Sequence, residues 1–292
     1  MEQKLGFVGL GMMGLPMAKR LLDHGPQLSV NNRTKQKAEG LIAEGARWCE
    51  NPSAVAAESD IVFSMLSNPD ALREVALSPT GILSALKQGG VHIDSSTVSP
   101  SLTRELAQRY NDRGCFFLHA PVLGSVPQAT DGTLLMFVGG DDRAYHYAQP
   151  VLRLLARKTW KFEHAEQATH LKLLCNLFIA GMIMTLGQAL IFARKANVDQ
   201  RVLLDVIGQS QLNSPMYQTK GASILEGNFT PRFYLEHMFK DINLMLDAAA
   251  VVGAPLPAIQ VAQQLFAEAL RTGFGQEDYS AVAKVLEMRG EQ

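Results

Sequence analysis

The first 120 residues constrain the fold more than any other stretch. Short, nearly all-apolar runs (Leu5–Val8, Leu28–Val30, Ile61–Met65, Val91–Ile93 and Phe116–His119) alternate with helix-period segments at Met13–Leu22, Lys35–Glu44, Ala71–Ala76 and Ser101–Tyr110. Strands that are apolar on both faces must be covered on both faces, so the alternation reads as βαβ units building a parallel sheet. A further run, Thr133–Val138, ends in Gly139-Gly140, and Asp141 is placed to cap the helix that follows. After Phe162 the pattern changes. Gln167 to Asp199 reads as one long helix, and Gln200 to Arg289 stays helical, with Pro215, Pro231, Pro255 and Pro257 as boundaries. The expected architecture is α/β: a doubly wound Rossmann sheet over 1–163, and an all-helical domain over 164–292, joined by the long helix.

Composition removes several function classes. The chain of 292 residues carries 27 Lys+Arg against 28 Asp+Glu, too balanced for a partner coated in phosphates, so no nucleic acid is expected. Cys49, Cys115 and Cys175 share no CxxC spacing and the seven histidines show no ligand spacing. No disulfide framework or metal site is expected, and a reducing, cytoplasmic location fits. HExxH, GxSxG and Walker motifs are absent from the sequence. Leu5–Ala18 is apolar like a signal core, but Glu2 precedes it and four glycines interrupt it. Leu173–Ala193 has 21 residues without a charge, long enough to cross a bilayer. It also holds Asn176, Thr185 and Gln188. The reading is therefore no membrane span, but a helix enclosed by the C-terminal helices and a partner subunit in a homodimer or homotetramer.

Gly9-Leu10-Gly11-Met12-Met13-Gly14 follows the first strand and opens the first helix. In this context the first glycine permits the turn, the second admits a pyrophosphate to the backbone, and the third packs helix on strand. A GxGxxG alone is weak, since any glycine-rich βα turn resembles it. Its position after the first strand points to a dinucleotide. The second strand ends in Asn31-Asn32-Arg33-Thr34, and no acid lies between Asp23 and Glu39 to hold a ribose 2'-hydroxyl. Arg33, with Asn32, Thr34 and Lys37 around it, suits a 2'-phosphate. NADP(H) is expected over NAD(H).

Two further segments carry candidate chemistry. Asp94-Ser95-Ser96-Thr97-Val98-Ser99-Pro100 follows a strand, where ligands of doubly wound sheets sit, although a capped turn gives the same pattern. Lys172 and Asn176 lie four apart on the long helix, on one face. A lysine at the edge of an apolar helix can simply snorkel to solvent. A lysine–amide pair can also protonate a carbonyl oxygen and orient its substrate.

Together these residues resemble the β-hydroxyacid dehydrogenase family, through essentially the whole chain. Gly6 to Ala18 is similar to its cofactor loop, and Asp94–Pro100 to its DxST segment, which implies that Thr97 and Ser96 meet the nicotinamide half or the substrate. Ala120-Pro121-Val122 through Asp131-Gly132-Thr133-Leu134 resembles the substrate segment. Lys172 and Asn176 match the KxxxN pair whose lysine is catalytic, and Phe239-Lys240-Asp241 the late motif whose lysine reaches the cofactor. Two departures stand out. The chain has His119-Ala-Pro-Val-Leu123-Gly124-Ser125 where the family has Asp-Ala-Pro-Val-Ser-Gly-Gly, so Leu123 removes a side-chain hydroxyl that the family uses on the substrate, and Ser125 partly replaces it. No glycine occurs from Lys161 to Leu171, where a glycine-rich turn is usual. The resemblance implies an NADP(H)-dependent enzyme interconverting a small hydroxy acid and its semialdehyde, with Leu123, Gly124 and Ser125 lining the substrate. An imine reductase on the same fold and a non-catalytic nucleotide-binding scaffold are the alternatives, the first disfavoured by Lys172.

Overall fold

A computed structural model describes residues 3–25 and 27–291. Among them, nine strands form one sheet: β1 (Leu5–Val8), β2 (Leu28–Asn31), β3 (Arg47–Trp48), β4 (Ile61–Ser64), β5 (Val91–Asp94), β6 (Phe116–His119), β7 (Val122–Leu123), β8 (Leu134–Gly139) and β9 (Ala156–Phe162). The order is β3-β2-β1-β4-β5-β6-β8-β7, with β9 paired to β8. The direction of winding reverses between β1 and β4, which is where doubly wound sheets open a ligand crevice.

The expectation of a parallel sheet holds from β3 to β6 and fails beyond. β8 runs antiparallel to β6 and β7. The cause is the connection: a parallel return needs a crossover of a dozen or more residues, and only the ten residues 124–133 join β7 to β8. The helix Asp142–Leu155 then supplies such a crossover, and β9 pairs parallel with β8.

Both sheet faces are covered, as the apolar strands require. Phe7, Val30, Phe63, Ile93 and Leu118 belong to one core, and Val8, Val62, Leu106, Tyr110 and Phe117 to the other. Phe7 and Phe63 stack at 6.0 Å within the first. Several helices start on a capping side chain followed by proline: Asn51-Pro52, Asn68-Pro69, Ser99-Pro100 and Ser214-Pro215. The side chain accepts from a backbone N–H in the first turn, and proline forgoes one that would have no partner. Asp141 caps its helix in the same way, accepting from the N–H groups of Arg143 and Ala144. Lys35–Glu44, expected as one helix, is a 3₁₀ turn at Lys35–Ala38 followed by the short helix Glu39–Ala43.

The helical region comprises Ala165–Lys195, Gln200–Gln209, Pro215–Leu225, Leu235–Val251, Pro257–Arg271 and Val282–Glu291. The chain divides into two compact units between Leu173 and Leu174, inside the first of these helices. In the second unit, buried Asp278 gathers Lys220 Nζ at 2.7 Å, Ser280 Oγ at 2.7 Å, and the N–H groups of Ser280 and Arg232. Lys220 Nζ also lies 4.7 Å from the Tyr279 ring centroid. These contacts tie the segment before Leu235 to the turn before the last helix.

The long helix is apolar and long enough to cross a membrane by length and composition. One side is buried through Ala180, Ile183, Leu186 and Leu190, while Leu174, Phe178 (68% exposed) and Phe192 (75%) face outward. The C-terminal helices therefore enclose only part of it, less than the uncharged run suggested.

Candidate active site

The glycine turn sits where β1 meets the helix Gly14–His24. Gly9 has φ +97°, and a Cβ there would collide with the Met65 carbonyl oxygen; one on Gly14 would collide with the Gly9 carbonyl oxygen. Those two glycines are demanded by the protein's own packing. Gly11 differs: a Cβ there meets nothing within 4 Å. Open space over that backbone is what an approaching pyrophosphate uses. The helix start fits an anion too, with no acid in its first turn and no side-chain cap at Met13. These observations fit a dinucleotide at the turn formed by Gly9, Leu10, Gly11, Met12, Met13 and Gly14.

The end of β2 is tied to this turn. Asn32 Oδ1 accepts from the Leu10 N–H at 3.0 Å, and Asn32 Nδ2 donates to the Thr34 carbonyl at 2.9 Å. Asn32 thus fixes the bend that leaves Arg33, Thr34 and Lys37 exposed beside it. Lys35 stacks over Trp48 at 5.3 Å.

Ser64 (β4), Asp94 (β5) and His119 (β6) stand in one rung of the sheet, the last before the loops. Asp94 Oδ1 accepts from Ser64 Oγ at 2.7 Å and Ser96 Oγ at 2.6 Å. Ser96 in turn accepts from the Leu66 N–H at 2.8 Å. His92 bridges Ser64 Oγ (2.8 Å) and the Tyr110 hydroxyl (2.7 Å). His119 Nδ1 lies 3.3 Å from Asp94 Oδ2, too oblique for a hydrogen bond but close enough to act through charge. Burial holds the His92 ring down at about 4, against a small upward pull from Asp94. Burial alone would raise the Asp94 carboxyl, but the surrounding His119, His92 and Ser96 outweigh it and leave it lowered. Ser96 is fully buried with its hydroxyl engaged by Asp94 and the Leu66 N–H; Thr97, half-buried, is the neighbour nearer the surface.

In the segment after β6, Leu123 is half-buried in β7 opposite Leu135, and Gly124 is exposed with φ +149°. Gln128 reaches back to the Ser125 N–H at 2.9 Å, shaping the turn that presents Gly124 and Ser125. The long helix starts without glycine because the strand beside it makes room. A Cβ on Gly139 would collide with the His164 carbonyl oxygen, and Gln167 caps the His164 N–H at 2.9 Å. Glu166 and Ala168, in the positions of the expected turn, are already helical, and Glu166 pairs with Arg104 at 3.1 Å.

Lys172 is half-buried on this helix. Asn176, 1% exposed, donates from Nδ2 to Asp241 Oδ2 at 2.7 Å. Lys240 Nζ lies 2.8 Å from Asp241 Oδ1, at an angle that makes the contact ionic rather than a hydrogen bond. The second unit thus joins Asn176, Asp241 and Lys240. Asp241 was visible in sequence only as the neighbour of Lys240; nothing in the spacing tied it to Asn176. Among the described residues, no cluster of His, Cys, Asp and Glu is arranged to hold a metal ion.

The chain matches known proteins along nearly its whole length. Residues 4–165 match the NAD binding domain of 6-phosphogluconate dehydrogenase, and residues 167–286 match the NAD-binding domain of NADP-dependent 3-hydroxyisobutyrate dehydrogenase. The chain is 33% identical to glyoxylate/succinic semialdehyde reductase 2, chloroplastic, of Arabidopsis thaliana, over 97% of this chain and 79% of that one. It is 34% identical to 2-(hydroxymethyl)glutarate dehydrogenase of Eubacterium barkeri, over 97% and 95%. The structure of Mycobacterium tuberculosis 3-hydroxyisobutyrate dehydrogenase with L-serine superposes with a TM-score of 0.88 at 30% identity, covering 98% of this chain and 99% of that one. With both family models matched in order and relatives aligned nearly end to end, the chain belongs to the 3-hydroxyisobutyrate dehydrogenase-like (β-hydroxyacid dehydrogenase) family of NAD(P)-dependent oxidoreductases.

Proposed function

We propose that the protein interconverts a small 3-hydroxy acid, or a related hydroxy acid, with its semialdehyde, and prefers NADP(H). The nicotinamide, when bound, supplies or accepts the hydride. Lys172 donates a proton to the carbonyl oxygen in reduction and recovers it in oxidation. Asn176 holds the substrate oxygen in line, with its amide orientation set by Asp241. Gly124 and Ser125 meet the rest of the substrate, beside Leu123. Thr97 and Lys240 act toward the cofactor. Arg33, with Thr34 and Lys37, receives the 2'-phosphate, since no carboxylate stands there to favour a free ribose.

The observation that carries the reading is the Lys172–Asn176 pair, one helical turn apart, with the amide locked by a buried carboxylate. A snorkelling lysine would need no such partner. The test is NADPH oxidation with semialdehydes, glyoxylate and cyclic imines. Turnover of a semialdehyde or glyoxylate is expected. Turnover of imines alone, or of none of these, would overturn the assignment in favour of an imine reductase or a scaffold.

The outward stripe of Leu174, Phe178 and Phe192 supports a homodimer or homotetramer, and the buried, unbridged thiols of Cys49 and Cys115 support a cytoplasmic setting. Light scattering at micromolar concentration should give at least a dimer; a monomer would count against the assembly.

A further inference from the structure

We propose that Asp94 is a positioning residue of the cofactor site: acting through Ser96, it fixes the loops after β4 and β5 against each other and against the glycine turn. The inference rests on the NADP(H) reading above and assigns this buried carboxylate a role distinct from ligand contact.

Counting hydrogens gives the network a direction. The Ser64 O–H goes to Asp94 Oδ1, so Ser64 must accept from His92 Nε2–H. His92 Nδ1 is then left to accept from the Tyr110 O–H. The ring is neutral, and three hydrogen bonds run in series, from Tyr110 to His92 to Ser64 to the carboxylate. A second branch arrives from the loops: Leu66 N–H to Ser96 Oγ, and Ser96 O–H to the same carboxylate oxygen. Asp94 is therefore the acceptor on which both branches end. Its position is fixed by strand register, because Ser64, Asp94 and His119 occupy one rung.

The loop that this branch holds forms the wall of the glycine turn. The Met65 carbonyl stands where a Cβ on Gly9 would be, and Leu66 Cδ2 is 2.8 Å from that point. Met65 N–H donates to the Val8 carbonyl at 3.0 Å, and Ser95 N–H to the Ser64 carbonyl at 2.8 Å. Displacing Leu66 would shift the wall over the turn while leaving the glycines themselves unchanged.

The test is NADPH titration with thermal unfolding on the whole protein, for wild type, Asp94→Asn, Ser96→Ala and Tyr110→Phe. Asp94→Asn and Ser96→Ala, which cut the branch to the Leu66 N–H, should weaken NADPH by roughly 3- to 30-fold, the range for residues acting through a packed network. Tyr110→Phe, at the far end beyond His92, should unfold at lower temperature yet bind NADPH within about twofold of wild type, because its bond lies outside the branch that reaches the loops. Should Asp94→Asn fail to fold, Ser96→Ala decides. Folded Ser96→Ala with wild-type affinity would overturn the proposal, as would Tyr110→Phe weakening NADPH as strongly as Ser96→Ala. Wild type that fails to bind NADPH would overturn the cofactor reading as well, a result separable from both.

Discussion

Asp278 among the helices and Asp94 in the sheet are both buried carboxylates that gather several donors, and the two are satisfied in opposite ways. Asp278, among the helices, takes a full cation, Lys220, together with serine and backbone donors. Asp94, at the top of the sheet, takes its hydrogen bonds from two hydroxyls, with a histidine ring alongside. A buried ion pair is costly to break and binds its segments firmly, which suits a staple. A carboxylate held by buried hydroxyls fixes the strand end and the loop that carry them, which suits a wall beside a ligand. The difference separates a staple between helical segments from an arrangement beside the glycine turn.

The largest effect should come from the long helix. Lys172→Ala is expected to lower kcat by about 100- to 10,000-fold, the share of a positioned acid–base group, with NADPH affinity nearly intact. Near-wild-type turnover in a folded variant would remove the acid–base role from this helix and break the division of labour.

Acid should find the sheet region first. Above pH 6.5 the His92 ring is neutral both folded and unfolded; between 6.5 and about 4 only the unfolded chain takes up the proton. Stability therefore drains as pH falls through that interval and levels off below it. The loss is up to about 3 kcal/mol at about 1.4 kcal/mol per unit. The lowered Asp94 carboxyl removes more stability below the ordinary carboxylate range. Hydrogen exchange at pH 5 should show β4, β5 and β6 opening more readily than at pH 7, and His92→Gln should flatten the dependence. Unchanged protection would mean that His92 is not held neutral.

Cofactor choice comes next. Arg33→Ala should weaken NADPH by roughly 10- to 150-fold, the worth of one charge-assisted contact, and leave NADH alone. Equal losses for both nucleotides would place the 2'-phosphate elsewhere. The smallest effect sharpens the account of the glycine turn. Gly11→Ala should fold as wild type does, since its Cβ meets no atom, yet bind NADPH about tenfold more weakly, or roughly 1.4 kcal/mol. Gly14→Ala should fail in thermal unfolding before binding can be measured.

The long apolar strands and the glycine turn were legible in sequence because their signals are local. β3, at two residues, and β9, with the polar sequence Ala-Arg-Lys-Thr-Trp-Lys-Phe, carry no apolar run, and both escaped. The antiparallel reversal at β8 escaped because direction depends on connection length, which residue type does not report. In the candidate site, Lys172 and Asn176 share a helix face by spacing, and the family resemblance is what singles them out. Asp241 is 65 residues from Asn176, and Ser64 is 30 residues from Asp94. Such pairs come together through helix packing and strand register, and no window on the sequence spans them. Ser96 shows the reverse case: its place in a family motif suggests a ligand, while its hydrogen bonds point inward.

The boundary between the compact units falls between Lys172 and Asn176, within one turn of an unbroken helix. Their relative phase is consequently set by backbone geometry. Each added residue advances a helix by about 100°, so a single insertion at 173–175 would swing Asn176 off the lysine's face with no side chain changed. Under the proposed roles, the frame of the helix at 173–175 matters more than the side chain of exposed Leu174.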